Sequence, residues 1–510
     1  MTSEVIAKPA RCDQTAHSAA PMNEDSQMSQ TTPLPQTALL TAVPTAAADR
    51  PSLIALLVML SGTFMVVLDF FIVNVAIPSI QHELHAGSGA LQLVVIGYGL
   101  ANASALITGG RLGDIHGRRR LFMIGIGLFT LASAACGLAP SAELLVAARI
   151  AQGIAGALLQ PQVLAMLGTL FSGVERQRAY AAYGLTLGLA AAGGQLIGGL
   201  LIDANPGGLG WRTCFLINVP IGVLALLSSR RVLPAVRAQP TSRLDLPGTA
   251  LIAIALTAAV FPLAQGREQG WPLWSLACLA AATPLLALFW RYQLSLAARG
   301  GQPLVAPALL AHKAFVLGLL VTLVFYAGNA SFYFVLALFL QQGLGLAPLS
   351  SGLVFTTLAV GFFASSMASP WFARRLGRHA IFAGALVLAL GHALLYLALP
   401  HLSAAHVAWM LPLLLVQGCG LGMVMAPLVA TVLAGLPAQH AGVASGVMAT
   451  MQQVGNALGV ALIGILYYGV GARAAVNAFG ASLVYLFVLA IAVALLYRRF
   501  SRASSAKEPS

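Results

Sequence analysis

The sequence predicts an all-α membrane protein of fourteen helices, arranged as two six-helix bundles with two extra central helices. Three observations carry that prediction. The first is composition. Of 510 residues, 59% are apolar and 8% charged, whereas a soluble domain is about half apolar and about a quarter charged. Mean hydropathy is +0.86, and so few charges cannot coat a soluble surface. The second is repetition. From Ser52 onward, apolar runs of roughly 20 residues recur to the C-terminus, the length needed to cross about 30 Å of hydrocarbon. The third is charge placement. Of 27 Lys and Arg residues, 23 fall in alternate loops on one side.

The elements follow in order. Residues 1–51 are rich in Ser, Thr, Gln, Ala and Pro. They lack the apolar core of a secretory signal and read as a disordered tail. A first bundle over 52–235 takes helices at 53–79, 91–111, 120–139, 143–168, 179–202 and 213–232. A linker over 236–312 holds the extra pair, 246–264 and 273–292. A second bundle over 313–498 takes 314–342, 350–372, 379–399, 405–433, 441–468 and 475–498, and a tail over 499–510 closes the chain. Backbone groups in lipid must bond within their own segment, so these runs are helices. Outer-membrane strands would be about ten residues long and alternate in polarity.

An even helix count puts both termini on one side. The excess of Lys and Arg there makes that side the cytoplasm. The net charge of +13 therefore reports topology and is no sign of nucleic acid as a partner. A trace of duplication supports the paired bundles. Residues 109–118 read GGRLGDIHGR and residues 369–378 read SPWFARRLGR, and both end in Gly-Arg. Parallel repeats of this kind occur in secondary transporters.

Two charges sit well inside the predicted spans: Asp69 in helix 1 and Arg149 in helix 4. A charge in such a segment is costly and faces a partner, a polar interior or a pathway. At 1.5 Å per residue, Asp69 lies about 15 Å and Arg149 about 12 Å from the same side, so the two can meet. A carboxylate in low dielectric can take up and release a proton near neutral pH. An arginine stays charged and can displace that proton. A purely structural ion pair is the alternative. The five cysteines (Cys12, Cys136, Cys214, Cys278 and Cys419) have no CxxC spacing and read as small hydrophobes, with no metal site.

The segment from Gly109 to Arg120 is short, glycine-rich and carries one acid, Asp114, among bases. An ordinary positive-inside loop explains its arginines but not its Gly/Asp pattern. With Gly110, Leu112, Asp114, Gly117, Arg118 and Arg119, it resembles the signature loop between helices 2 and 3 of the major facilitator superfamily. Leu68 to Pro78 resembles the helix 1 motif of that family's fourteen-helix drug:proton antiporter branch, with Phe71 in place of the usual Thr. Arg149, Gln152 and Gly153 match its R-x-x-Q-G motif in helix 4. In helix 5, Gly188, Gly194, Gly198 and Gly199 resemble the antiporter motif, with Gln195 in place of its proline. The resemblance covers about 52–500.

The resemblance implies the major facilitator fold and export by alternating access. It implies proton coupling at Asp69 and Arg149 and conformational gating by the loop of Gly110, Asp114, Gly117, Arg118 and Arg119. It also implies close bundle packing at the helix 5 glycines, for which packing alone is the competing account. Polar residues in other helices are candidates for the cavity wall: Gln152, Tyr326, Asn329, Gln417, Gln452 and Asn456, with Asn102, Gln341 and Gln453. Interhelical hydrogen bonding is the alternative for each. Phe325, Phe332 and Tyr333 add aromatic surface, and His392 is a lone histidine in helix 11.

The expected function is a proton-coupled exporter of amphipathic small molecules in the bacterial inner membrane. It needs no cofactor beyond the proton gradient. The expected partners are its cargo, protons and the lipid bilayer, with room for a periplasmic adaptor protein, and the expected state is a monomer. A facilitator of another cargo, a membrane-embedded enzyme and a non-transporting sensor are the competing readings. The chain has no HExxH, no Walker loop and no clustered metal ligands, which speaks against the enzyme.

Overall fold

The computed structural model describes residues 53–234, 244–434, 441–470 and 475–505. The predicted N-terminal tail lies outside them. Fourteen helices among the described residues are long and apolar enough to cross a bilayer. They are α1 (Leu53–Leu84), α2 (Ser88–His116), α3 (Arg118–Gly137), α4 (Ala142–Leu170), α5 (Gly173–Ala204), α6 (Gly210–Val232) and α7 (Leu246–Gln265). Then come α8 (Leu273–Ala298), α9 (Lys313–Gly343), α10 (Pro348–Met367), α11 (Ser369–His401), α12 (Ala404–Leu433), α13 (Val443–Gly469) and α14 (Ala475–Ser504). Leu131, Leu224 and Leu397 are exposed, as side chains that face acyl chains must be.

Several boundaries differ from the sequence reading, among them the start of α11 at Ser369 where 379 was expected, and two are instructive. The segment 109–120 is not a loop. Helix α2 continues to His116 and α3 starts at Arg118, leaving Gly117 alone to turn the chain, at a φ of 91° that glycine adopts without steric cost. Gly109 and Gly113 of that stretch serve packing. A Cβ on Gly109 would lie 2.2 Å from the Ala157 carbonyl oxygen, and one on Gly113 would lie 1.9 Å from Gln162 Oε1. Both residues let α2 lie directly on α4. At the other end of the chain, α14 carries on through Arg498, Arg499 and Arg502, where a tail was expected from 499. Those basic side chains are exposed, so their charge does not stop the helix.

Contacts sort twelve helices into two groups. In the first, α4 packs on α2 and α3, α1 on α5, and α6 on α3 and α1; in the second, α12 packs on α10 and α11, α9 on α13 and α14, and α11 on α14. Helices α2 and α13, and α5 and α10, join the groups. The pair α7–α8 lies against α2 and α13. Glycines make the seams close in both groups. Gly153 of α4 meets the Tyr98 carbonyl of α2 where Gly418 of α12 meets the Leu358 carbonyl of α10. Asp69, Tyr98 and Gly117 stand the same number of residues ahead of Asn329, Leu358 and Gly377, so the duplication extends to the packing.

The basic residues of Arg118–Arg120, Arg230–Arg231, Arg299–Lys313 and Arg374–Arg378, at helix ends and the connections beside them, define a basic face. On the opposite face the two groups touch. There α9 widens into a π turn over Phe339–Gly343. Gln341 Nε2 donates to the Val75 carbonyl of α1 at 3.0 Å, and Gln342 Nε2 donates to Gln81 Oε1 at 2.7 Å.

Candidate functional site

The first bundle buries a continuous polar network around Asp69. Asp69 and Arg149 are both fully buried and form an ion pair between Arg149 Nη1 and Asp69 Oδ2. Of the three ion pairs among the described residues, this is the fully buried one. Gln152, one turn after Arg149, accepts from Arg149 Nη1 at 2.7 Å and donates through Nε2 to Asp69 Oδ1 at 2.8 Å. Asn218 of α6 donates to the same oxygen at 3.1 Å, and Asn218 and Gln152 both donate to Ser133 Oγ of α3, at 3.0 and 3.1 Å. The carboxylate thus accepts from three donors on two helices.

Arg149 has partners besides Asp69. Its Nε donates to the Val94 carbonyl of α2 at 2.9 Å. Its guanidinium carbon lies 4.3 Å from the Tyr98 ring centre and 5.6 Å from that of Phe215, within cation–π range. Its Nη2 has no hydrogen-bond partner, and neither has Asn218 Oδ1. Burying a paired charge is costly unless such extra bonds are made. Here the Val94 carbonyl, Gln152 and two aromatic faces supply them.

Ser133, Asn218, Tyr98 and Val94 were not among the sequence candidates. Asn218 carried a readable signal, a carboxamide inside an apolar run. Val94 contributes only backbone, which no sequence pattern exposes. Gln152, expected on the cavity wall, is instead fully buried with its amide bonded to Asp69, Ser133 and Arg149. One turn of separation from Arg149 places it in the ion-pair network.

At the basic face, Asp114 pairs with Arg118 at 2.6 Å across one turn, and both side chains are partly exposed. Arg119 donates to the Arg230 carbonyl of α6. Gly110 has ordinary space, its nearest neighbour being Pro161. In α5, Gly194 and Gly198 receive α1 at Phe71, Ile72 and Val75, while Gly188 and Gly199 receive α10 at Phe363 and at Pro348–Leu349. The glycines therefore serve two different seams. Gln195 is buried, and its Nε2 donates to the Phe71 carbonyl at 2.9 Å. The two departures from the antiporter motifs, Phe71 and Gln195, are thus bonded to each other. The Phe71 ring in turn meets Tyr333 of α9 edge-on at 5.0 Å, and Tyr333 stacks on Phe355 of α10.

The remaining cavity candidates divide. Tyr326 is buried edge-on to Phe325. Asn456 donates to Gln453 on its own helix at 3.4 Å, and Gln452 is half-buried. Asn329 and Gln417 line a cavity of about 30 Å³ inside the second bundle, with His392, Phe325, Phe332 and Tyr333. That volume holds one or two waters, not a drug. Gln417 Nε2 donates to His392 Nε2 at 2.8 Å while Gln417 Oε1 has no partner. Gln417 is therefore interior to one bundle and off the surface between the two. Gln417-Gly418 repeats Gln152-Gly153, and Asn329 stands at the repeat position of Asp69, so the second bundle carries an uncharged copy of the first bundle's site.

A family model described as the Major Facilitator Superfamily matches residues 59–460 and 319–510. A probable actinorhodin transporter of Streptomyces coelicolor is 38% identical, over 81% of this chain and 72% of its own length. A puromycin resistance protein of Streptomyces alboniger is 36% identical, over 81% of each chain. The multidrug resistance protein Stp of Mycobacterium tuberculosis is 32% identical over 82% of this chain and 76% of its own. Among solved structures, a POT peptide transporter in complex with sulfate superposes at a TM-score of 0.65 with 15% identity, covering 88% of this chain and 95% of that one.

Proposed function

The chain belongs to the Major Facilitator Superfamily, a premise from which we propose that it exports amphipathic small molecules in exchange for protons. The buried Asp69–Arg149 pair carries the proposal. A proton arriving at Asp69 neutralises the carboxylate and dissolves its tie to Arg149. The guanidinium keeps the Val94 carbonyl, Gln152 and the Tyr98 and Phe215 faces, so the released cation is not stranded. Loss of the proton restores the pair. The tie joins α1 to α4, and α1 also carries Phe71, which touches Gln195 of α5 and Tyr333 of the second bundle. Proton occupancy at Asp69 thereby biases how the two bundles meet.

We place the basic face in the cytoplasm, by the excess of Lys and Arg in its loops, and the protein in the bacterial inner membrane, working as a monomer without a cofactor. The similarity to proteins named for actinorhodin, puromycin and multidrug resistance supports amphipathic organic cargo. A compound-susceptibility panel in an efflux-deficient bacterial host tests the reading. Wild type should raise the tolerated concentration of at least one amphipathic compound, and Asp69→Asn should not. Equal protection by both proteins rules out proton coupling at Asp69.

A further inference from the structure

The pair α7–α8 belongs to neither six-helix group, yet its tip on the opposite face touches both. Residues Arg267 and Glu268 sit in that tip. Glu268 Oε2 accepts from the Gly89 amide at 2.7 Å, in the first turn of α2. Glycine at 87 and 89 makes room: a Cβ at either position would lie 2.1 or 2.7 Å from a Glu268 carboxylate oxygen. Arg267 Nη1 donates to the Tyr468 carbonyl at 2.9 Å, in the last turn of α13. An acid therefore caps the N-terminus of a first-bundle helix, and the base beside it caps the C-terminus of a second-bundle helix. Both match the helix dipole.

The tip is held stiffly. The Trp271 amide donates to the Gly266 carbonyl at 2.6 Å and the Gly270 amide to Arg267 at 3.1 Å, while Gly270 and Trp271 both have positive φ. At the basic face the same pair is fastened to α2. Thr108 and Thr249 hydroxyls lie 2.7 Å apart, and Arg111 donates to the Gln302 carbonyl at 2.8 Å. Asp245 accepts from Tyr292 and Gln293, at 3.0 and 2.8 Å, and so ties α7 to α8. The pair thus rides on α2 at both ends and reaches across to α13 at its tip.

We infer that Arg267 and Glu268 form a strap across the two bundles, and that Arg267 must let go of Tyr468 each time the protein opens on the face opposite the basic one. Glu268 positions the tip on α2, and Arg267 is the part that releases. The strap lies on the face where Gln341 and Gln342 also join α9 to α1. The extra helices set the balance between the two access states and are no passive spacer. The inference rests on the alternating-access reading.

Distances between spin labels at Leu138 and Val470 test it; both are exposed on that face, one in each bundle. The native cysteines are replaced by alanine in this protein. Arg267→Gln should shift the population ratio toward the longer distance by roughly two- to fivefold, the effect of losing a cation at a helix C-terminus. Arg267→Lys should restore most of the original ratio. An unchanged distribution in Arg267→Gln overturns the strap. The measurement needs no cargo, so its failure is distinct from failure of the exporter reading. In a second arm, Arg267→Cys with Tyr468→Cys is bridged by a reducible bifunctional methanethiosulfonate about as long as the arginine side chain. Exchange should stop and return on reduction, and undiminished exchange by the cross-linked protein refutes the need for release.

Discussion

Replacing Asp69 by Asn removes one charge and keeps the shape. Three donors converge on the carboxylate: Gln152 and Asn218 on Oδ1 and Arg149 on Oδ2. An amide offers one acceptor and one donor there, so either Arg149 or the two carboxamides must face an N–H group. Breaking a buried pair by removing one partner costs about 3–5 kcal/mol. The lower end applies. Arg149 retains the Val94 carbonyl and two aromatic faces, and Asn218 has an unpartnered Oδ1 that can turn to accept the new amide. We expect a stability loss of about 3 kcal/mol, visible as a lower melting temperature in detergent, with the fold retained. Proton release driven by a compound that the wild type protects against, followed in proteoliposomes with a pH-sensitive dye, should be abolished. The variant paired with Arg149→Gln separates the two roles of the site. Replacing both charges leaves none unpaired, so melting temperature should largely recover, while exchange stays absent. Recovery of exchange along with stability would refute proton coupling and leave a structural tie.

Asp114→Ala should slow turnover without removing cargo binding, and cost less than about 1 kcal/mol of stability, because its pair with Arg118 is partly exposed. Unchanged transport rates would reduce the turn to a topology signal. Gly153→Ala places a Cβ 2.3 Å from the Tyr98 carbonyl oxygen, where neither backbone can yield. A loss of about 1–3 kcal/mol is expected, and a melting temperature equal to wild type would show that α2 and α4 separate easily. Gln195→Leu leaves the Phe71 carbonyl without its side-chain donor and should cost about 1–3 kcal/mol. Thermal denaturation checks this, and no change would mean that the bond is dispensable to the α1–α5 seam.

Asp69 and Arg149 were legible as a pair because intramembrane charges are rare enough to stand out. Their surroundings were not. Ser133 and Val94 look like any other residues of an apolar helix, and they matter because α3 and α2 happen to present them to α4. Gln152 and Gln417 show the same limit from the other side. A carboxamide in a membrane helix marks a polar contact, but its address depends on which way the helix is turned. One is locked on the ion pair and the other sits inside the second bundle. The glycines from 109 to 117 suggested a loop by composition, but Gly109 and Gly113 shape a helix surface and Gly117 alone turns the chain.

The sequence by itself determined the helices, their number and the sorting of basic charge to one face. Those are local properties: hydrocarbon obliges every segment to satisfy its own backbone, so hydropathy and length decide each span without reference to the others. The tertiary structure alone decided which polar atoms meet. The bonds from Gln195 to Phe71, from Asn218 to Asp69 and from Arg267 to Tyr468 join residues far apart in the chain. Each exists because glycine-lined seams bring particular helix faces together at a particular depth, and rotation and depth are set by packing against neighbours, not by any one segment.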